Sequence, residues 1–222
     1  MWVPLGVLVL GTWAIRGLGL DLAVARWLHG FGRFFDTDSG WLGVLYHWAP
    51  WPSLLLAAGA LGGLAVAPWM SAARRYRRAA LFLVLLMALG PGLLVNVILK
   101  DYTGRPRPYQ SEPFGGPFPY REAWELGPPG EGYSFPSGHA STAFYWMGLF
   151  FVCWRSRRRC AWIALGVGLA WGLVIGVVRM VQGGHFLSDV LWAGGLIYLL
   201  GWGLWYWLRP DWPAARDGSV DS

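Results

Sequence analysis

With 222 residues, 55% of them hydrophobic and only 14% charged, and with 17 tryptophans, the chain lies too far from soluble composition for an aqueous globular domain or a disordered segment. It points instead to an all-α polytopic membrane protein. The net charge of +6 does not make it a nucleic-acid binder: eight arginines sit in two short clusters, Arg74, Arg75, Arg77, Arg78 and Arg155, Arg157, Arg158, Arg159. Both clusters fall between apolar runs, where they serve as topology signals.

A spanning helix needs about 20 mostly apolar residues, because a rise of ~1.5 Å per residue must cover ~30 Å of hydrocarbon. Six segments approach that length. The first, Trp2 to Leu20, carries Arg16, which must snorkel or find a partner. No basic segment precedes its apolar run, so it reads as a retained span, with a signal peptide cleaved after Ala23-Val24-Ala25 as the alternative. Leu22 to Phe35 sets Leu22, Val24, Leu28, Phe31, Phe34 and Phe35 among Asp21, Arg26, His29 and Arg33, which suits a helix lying in the membrane interface. Span two runs from Pro52 to Met70, and span three from Ala79 to Leu99 with a kink expected at Gly90-Pro91-Gly92. From Lys100 to Pro136 the composition turns to Gly, Pro, aromatic and charged residues, an ordered loop outside the membrane. Spans four, five and six follow at His139 to Trp154, Ala161 to Val178 and Val190 to Leu208, and residues 209–222 form a short polar tail.

The positive-inside rule puts both arginine clusters, both termini and the 209–222 tail in the cytoplasm, so the 100–136 loop faces outward. Trp48, Trp51, Trp69, Trp154, Trp162, Trp205 and Trp207 fall near span ends, as an aromatic belt would, and His29 and His47 are assigned to the interface. Cys153 and Cys160 offer neither a metal spacing nor a disulfide framework. No internal repeat supports an inverted-repeat transporter, and the chain reads as one domain, 1–222.

On this topology three outward-facing stretches meet. Lys100, the only lysine beside 17 arginines, ends span three and precedes Gly104-Arg105-Pro106-Arg107-Pro108. A lone lysine suggests a task for a compact ammonium, while Arg105 and Arg107 offer bidentate donors to an anion; interfacial anchoring explains each equally well by itself. Pro136-Ser137-Gly138-His139 opens span four as a helix start with Ser137 as cap, where free N–H groups and a glycine let an anion approach the backbone. In Arg179-Met180-Val181-Gln182-Gly183-Gly184-His185-Phe186-Leu187-Ser188-Asp189, a histidine and a carboxylate at i and i+4 share one face if the segment is helical, so Asp189 would fix the tautomer of His185. A plain helix cap by Ser188 and Asp189 is the competing reading.

Lys100, Arg107-Pro108, Pro136-Ser137-Gly138-His139, Arg179, His185 and Asp189, in this order and spacing, resemble the three-part signature of the type 2 phosphatidic acid phosphatase superfamily. Val178 departs from it, because many members carry serine before the arginine. The resemblance implies six transmembrane helices and phosphoryl transfer without metal or other cofactor. His185 would be the nucleophile and Asp189 its orienting partner, with His139 as general acid and then base. Lys100, Arg107, Ser137, Gly138 and Arg179 would hold the phosphate, with Arg105 as a secondary candidate. It further implies a lipid phosphate substrate held at the bilayer and a bacterial inner-membrane location with the site facing the periplasm. Lys100-Asp101, Gly104 to Pro108 and Phe114-Gly115-Gly116 are similar to bacterial members that dephosphorylate lipid A. Undecaprenyl pyrophosphate, phosphatidylglycerol phosphate and phosphatidate stay open as substrates, as does the use of residues 109–133 for headgroup selection. The readings from other classes are a transporter and a non-catalytic lipid-binding protein. A transporter would be expected to place ionisable groups near the bilayer midplane, whereas these lie at one face.

Overall fold

The computed structural model describes residues 2–31, 34 and 40–210. The expected positions of Arg33, Phe35 and residues 211–222 lie outside these. Helix α1 (Trp2–Gly17) is followed, after a left-handed Gly19, by α2 (Leu20–His29), the pair bent by 65°. Next come α3 (Gly40–Trp48), α4 (Trp51–Val66) and the single turn α5 (Ser71–Arg74). Helix α6 (Arg77–Met87) continues as a π-helix over Ala88–Leu99 and as one further turn, α7 (Lys100–Thr103). After the loop come α8 (Gly138–Phe144), a 3-10 turn at Tyr145–Met147, α9 (Gly148–Cys153), α10 (Arg158–Val181) and α11 (Leu187–Leu208). No strand occurs among the described residues, only an isolated bridge between Ser111 and Phe118.

The protein is all-α and of multi-pass membrane type, but the expected count of six spans is not what length and apolarity give. Gly40–Val66, Arg77–Gln110, Arg158–Val181 and Leu187–Leu208 are long and apolar enough to cross a bilayer, and the bent α1–α2 pair would make a fifth. The discrepancy lies in the stretch expected as span four. There α8, the 3-10 turn and α9 together are short and broken, and nearly every side chain from Ala140 to Val152 is buried or half-buried. This stretch is the axis of the bundle, packed on all sides by protein. Tyr145 donates its hydroxyl to Leu83 O at 3.1 Å, and Trp146 Nε1 donates to Ser53 Oγ at 3.1 Å, tying the axis to α6 and α4. Against α10 the approach depends on glycine: a Cβ at Gly172 would lie 2.1 Å from the Phe144 ring, and one at Gly168 would lie 2.5 Å from Met147 N.

The kink expected at Gly90-Pro91-Gly92 takes the form of the π-helix. Proline has no N–H and its ring crowds the preceding turn, so the backbone there widens. Of the tryptophans expected in a belt, Trp48, Trp51, Trp69, Trp162 and Trp207 are exposed, whereas Trp154 and Trp205 pack against the core. The connector helix α2 is more than an interfacial strip, because Asp21 on it is 1% exposed and Leu28 belongs to the core. His29 packs against Phe34 and Phe114, at 5.0 and 5.4 Å between ring centroids.

Candidate active site

The three stretches singled out in the sequence are stitched together by backbone and side-chain bonds. Tyr109 N donates to Gly183 O at 3.2 Å, Ser134 N to Arg105 O at 3.0 Å and Ser137 N to Asp189 O at 3.2 Å. These tie the 100–136 loop and the start of α8 to the turn between α10 and α11. Lys100, Arg107, His139, Arg179 and His185 lie close enough for their charges to act on one another. Among the described residues no group of three or more His, Cys, Asp or Glu is disposed to hold a metal ion.

Each cation is presented differently. Lys100 extends from the end of the π-helix and donates from Nζ to Asn96 Oδ1 at 2.8 Å, while Asn96 Nδ2 donates to Pro91 O at 2.7 Å. A Cβ on Gly138 would lie 2.5 Å from Asn96 Oδ1 and 2.8 Å from Lys100 Nζ, so glycine is what lets this lysine reach the start of α8. Ser137 caps that helix, its side chain accepting from Ala140 N at 3.4 Å, and the first amides of the helix have no acceptor within it. Arg179 is 3% exposed, donates from Nη1 to Gln182 Oε1 at 2.5 Å, and keeps a buried Nε with no partner among the described residues. Such a donor suits an anion. Arg107 is half-buried and donates to Tyr109 Oη at 3.3 Å.

Arg105 has a different environment, and its candidacy as an anion ligand is corrected. It is completely buried, and its three nitrogens are committed to protein. Nη1 donates to Asp189 Oδ1 at 2.5 Å and to Ser188 Oγ at 2.8 Å, Nη2 to Asp21 Oδ2 at 2.8 Å, and Nε to Arg121 O at 2.9 Å. Asp21, from α2, in turn accepts from Ser188 N at 2.8 Å and from Ser188 Oγ at 2.5 Å. One arginine thus links two buried carboxylates and clamps α2, the loop and α11 together.

The relation between His185 and Asp189 is also corrected. His185 precedes α11, so the two residues do not share a helical face. His185 Nδ1 is 2.6 Å from Ser134 O, to which it donates, and 3.7 Å from Asp189 Oδ2, too far for a hydrogen bond. The carbonyl of Ser134 therefore sets the tautomer and turns Nε2 away from Asp189. Asp189 Oδ2 accepts from Ser134 Oγ at 2.6 Å and from Phe186 N at 2.7 Å, so the helix-cap reading describes part of its work. Burial holds the His185 pKa down at about 4, helped by the charges of Arg179 and Arg107 and opposed by Asp189. At neutral pH its imidazole is uncharged.

Tyr46, Asp21, Ser134 and Asn96 were not singled out in the sequence. Asn96 was findable, as the only asparagine of the chain, in an apolar span four residues before Lys100. The others meet their partners across long sequence separations that no local pattern signals.

A buried uncharged histidine, a second histidine at a helix start and converging cations, all at the ends of apolar helices, define a membrane-embedded enzyme of phosphoryl transfer. The model of the PAP2 superfamily matches residues 79–213, and the chain belongs to that superfamily; it is a metal-independent phosphatase. It is 33% identical over 177 residues to a lipid A 4'-phosphatase of Francisella tularensis subsp. novicida (strain U112), an alignment covering 77% of each chain. It is also 37% identical over 114 residues to lipid A 4'-phosphatases of Rhizobium leguminosarum and Rhizobium etli, covering 50% of this chain and 48% and 43% of theirs. No solved structure matches it.

Proposed function

We propose that the protein removes a phosphate from lipid A, or from a closely similar saccharide lipid, through a phosphohistidine intermediate on the periplasmic face of the bacterial inner membrane. The observation that carries this reading is the gathering of His185, His139 and three cations where α7, α8, α10 and α11 begin or end. A lipid held in the bilayer would present its headgroup there. The names of the relatives support lipid A, and the arginine clusters support the orientation.

In the first step the Nε2 lone pair of His185 forms a bond to phosphorus while the bond from phosphorus to the sugar oxygen breaks. His139 takes up a proton as the phosphate dianion binds and offsets the surrounding cations, and it gives that proton to the departing oxygen. In the second step water attacks phosphorus, its proton passes to His139, the P–N bond breaks and inorganic phosphate leaves. Lys100, Arg107, Arg179, Ser137 and the Gly138 amide hold the three equatorial oxygens, where charge spreads in the transition state. Arg105 and Asp21 hold Asp189, and Ser134 holds His185.

The test is phosphate release by purified protein in detergent with EDTA, across lipid A, undecaprenyl pyrophosphate, phosphatidylglycerol phosphate and phosphatidate, with His185→Ala alongside. Preference for lipid A and loss of activity in the variant are expected. Activity that prefers a glycerol lipid would overturn the substrate, and activity surviving the substitution would overturn the mechanism.

A further inference from the structure

The two histidines of the site are held in different ways. His185 is fixed by a hydrogen bond to Ser134 O. For the ring of His139, no hydrogen bond is made among the described residues. It lies instead against the ring of Tyr46, nearly parallel, with 4.5 Å between centroids and 22° between planes. Tyr46 stands on α3, and its ring also carries the Arg179 guanidinium, 4.5 Å from the same centroid. Helix α3 is docked by the residue that steadies that guanidinium: Gln182 Nε2 donates to Leu42 O at 3.3 Å, and its Oε1 accepts from Arg179 Nη1. One aromatic ring thus touches a histidine of α8 and an arginine of α10.

An imidazole delivers its proton along an N–H bond that lies in the ring plane, so the plane must be set before the leaving oxygen can be protonated. A stacked ring limits that rotation without occupying either nitrogen, which a hydrogen-bonding partner would do. The electron-rich ring also attracts the Arg179 cation and keeps it near His139.

We propose that Tyr46 is a positioning residue of the reaction, its ring fixing the plane of His139 as proton donor to the leaving group and seating Arg179 beside it. This rests on the role given to His139 above. The face of the ring carries the function, and the hydroxyl does not.

The experiment uses the full chain in detergent and compares kcat/KM, which reports the leaving-group step, for two substrates. One is an alkyl or sugar phosphate lipid, whose alkoxide must be protonated as it leaves. The other is an amphiphilic nitrophenyl phosphate, whose phenolate leaves without help. General acid catalysis contributes about 10²- to 10⁴-fold, so partial misalignment in Tyr46→Leu should lower kcat/KM for the alkyl ester roughly 10- to 100-fold. The nitrophenyl ester should show only the smaller loss that comes through Arg179, Tyr46→Phe should retain activity on both, and His139→Ala should show the same discrimination more strongly. Tyr46→Met provides a second apolar replacement should Tyr46→Leu fail to fold. Equal losses on both esters, no loss on either, or a Tyr46→Phe as impaired as Tyr46→Leu would overturn the proposal. His185→Ala separates the two levels: activity surviving in it removes the phosphohistidine reading itself, whereas uniform losses in the Tyr46 variants remove only the role of this ring.

Discussion

Arg105 and Arg107 stand two residues apart, yet they should fail in opposite ways when replaced by methionine. In Arg105→Met two carboxylates lose their common cation at a place with almost no solvent: the side chains of Asp21 and Asp189 are 2% and 0% exposed. Each keeps neutral donors, Ser188 for Asp21, and Ser134 and Phe186 N for Asp189. Breaking a buried ion pair from one side costs about 3–5 kcal/mol. At roughly 2–4 °C per kcal/mol for a chain of this size, Tm in detergent should fall by about 6–20 °C. Removing one of the stranded charges with Asp21→Asn in the same chain should return part of that loss, a coupling that a double-mutant cycle measures. Arg107 is half-buried and its recorded side-chain hydrogen bond is to Tyr109. Its loss should move stability by no more than about 0.5 kcal/mol. It should nevertheless remove a charge-assisted contact to the phosphate worth about 1.5–3 kcal/mol, a fall in kcat/KM of roughly 10- to 150-fold. Thermal unfolding followed by tryptophan fluorescence, with kcat/KM on the same preparations, reads both quantities. An Arg105→Met protein as stable as the parent, or an Arg107→Met protein that unfolds early and keeps its activity, would refute the division of labour between them.

The site has three further consequences. The nucleophile must be uncharged, and His185 is held at about 4 against an ordinary value of 6.5, so kcat/KM corrected for substrate ionisation should keep its acid limb near pH 4. Because that lowered value lets the unfolded chain take up the proton first, the same shift should make stability fall progressively as pH drops from about 6.5 towards 4; an acid limb near 6.5 would contradict the burial of this ring. Gly138→Ala puts a methyl group 2.5 Å from Asn96 Oδ1 and 2.8 Å from Lys100 Nζ, so the asparagine and the lysine it holds must both shift. A displacement on the order of 1 Å in a positioned group costs about 10²-fold, and kcat/KM should fall by that order; an unchanged value would exclude Lys100 from the reaction.

The residues that could be read from the sequence are those whose spacing is itself the signal. Lys100, Arg107, Pro136 to His139, Arg179, His185 and Asp189 stand at fixed intervals at the ends of apolar runs, and hydropathy alone brings those ends to one face. What spacing could not convey was the partner of each group. Asp189 follows His185 by four residues, and this suggested a direct pair, but the helix begins only at Leu187 and the chain bends before it. A backbone carbonyl, Ser134 O, takes the imidazole instead, and nothing in a sequence marks one carbonyl as an acceptor. Arg105 and Arg107 share a proline-stiffened stretch with no periodicity, so which of them turns inward is decided by Asp21, from a helix more than 70 residues earlier. The stretch expected as the fourth span falls short of one membrane-length helix because a 3-10 turn breaks it at Tyr145–Met147, and apolarity by itself shows neither that break nor that the stretch is surrounded by protein rather than lipid. The small residues that let α10 close on it, Gly168 and Gly172, were the available hint.

The central claim is that His185 carries the phosphate between substrate and water. Rapid quenching of the enzyme during turnover of a lipid substrate labelled with ³²P in its phosphate tests it most directly. The account predicts protein-bound label that is labile to acid and stable to alkali, maps to the peptide containing His185, and is absent from His185→Ala together with turnover. Label on a serine or carboxylate, or turnover that persists in His185→Ala, would contradict it.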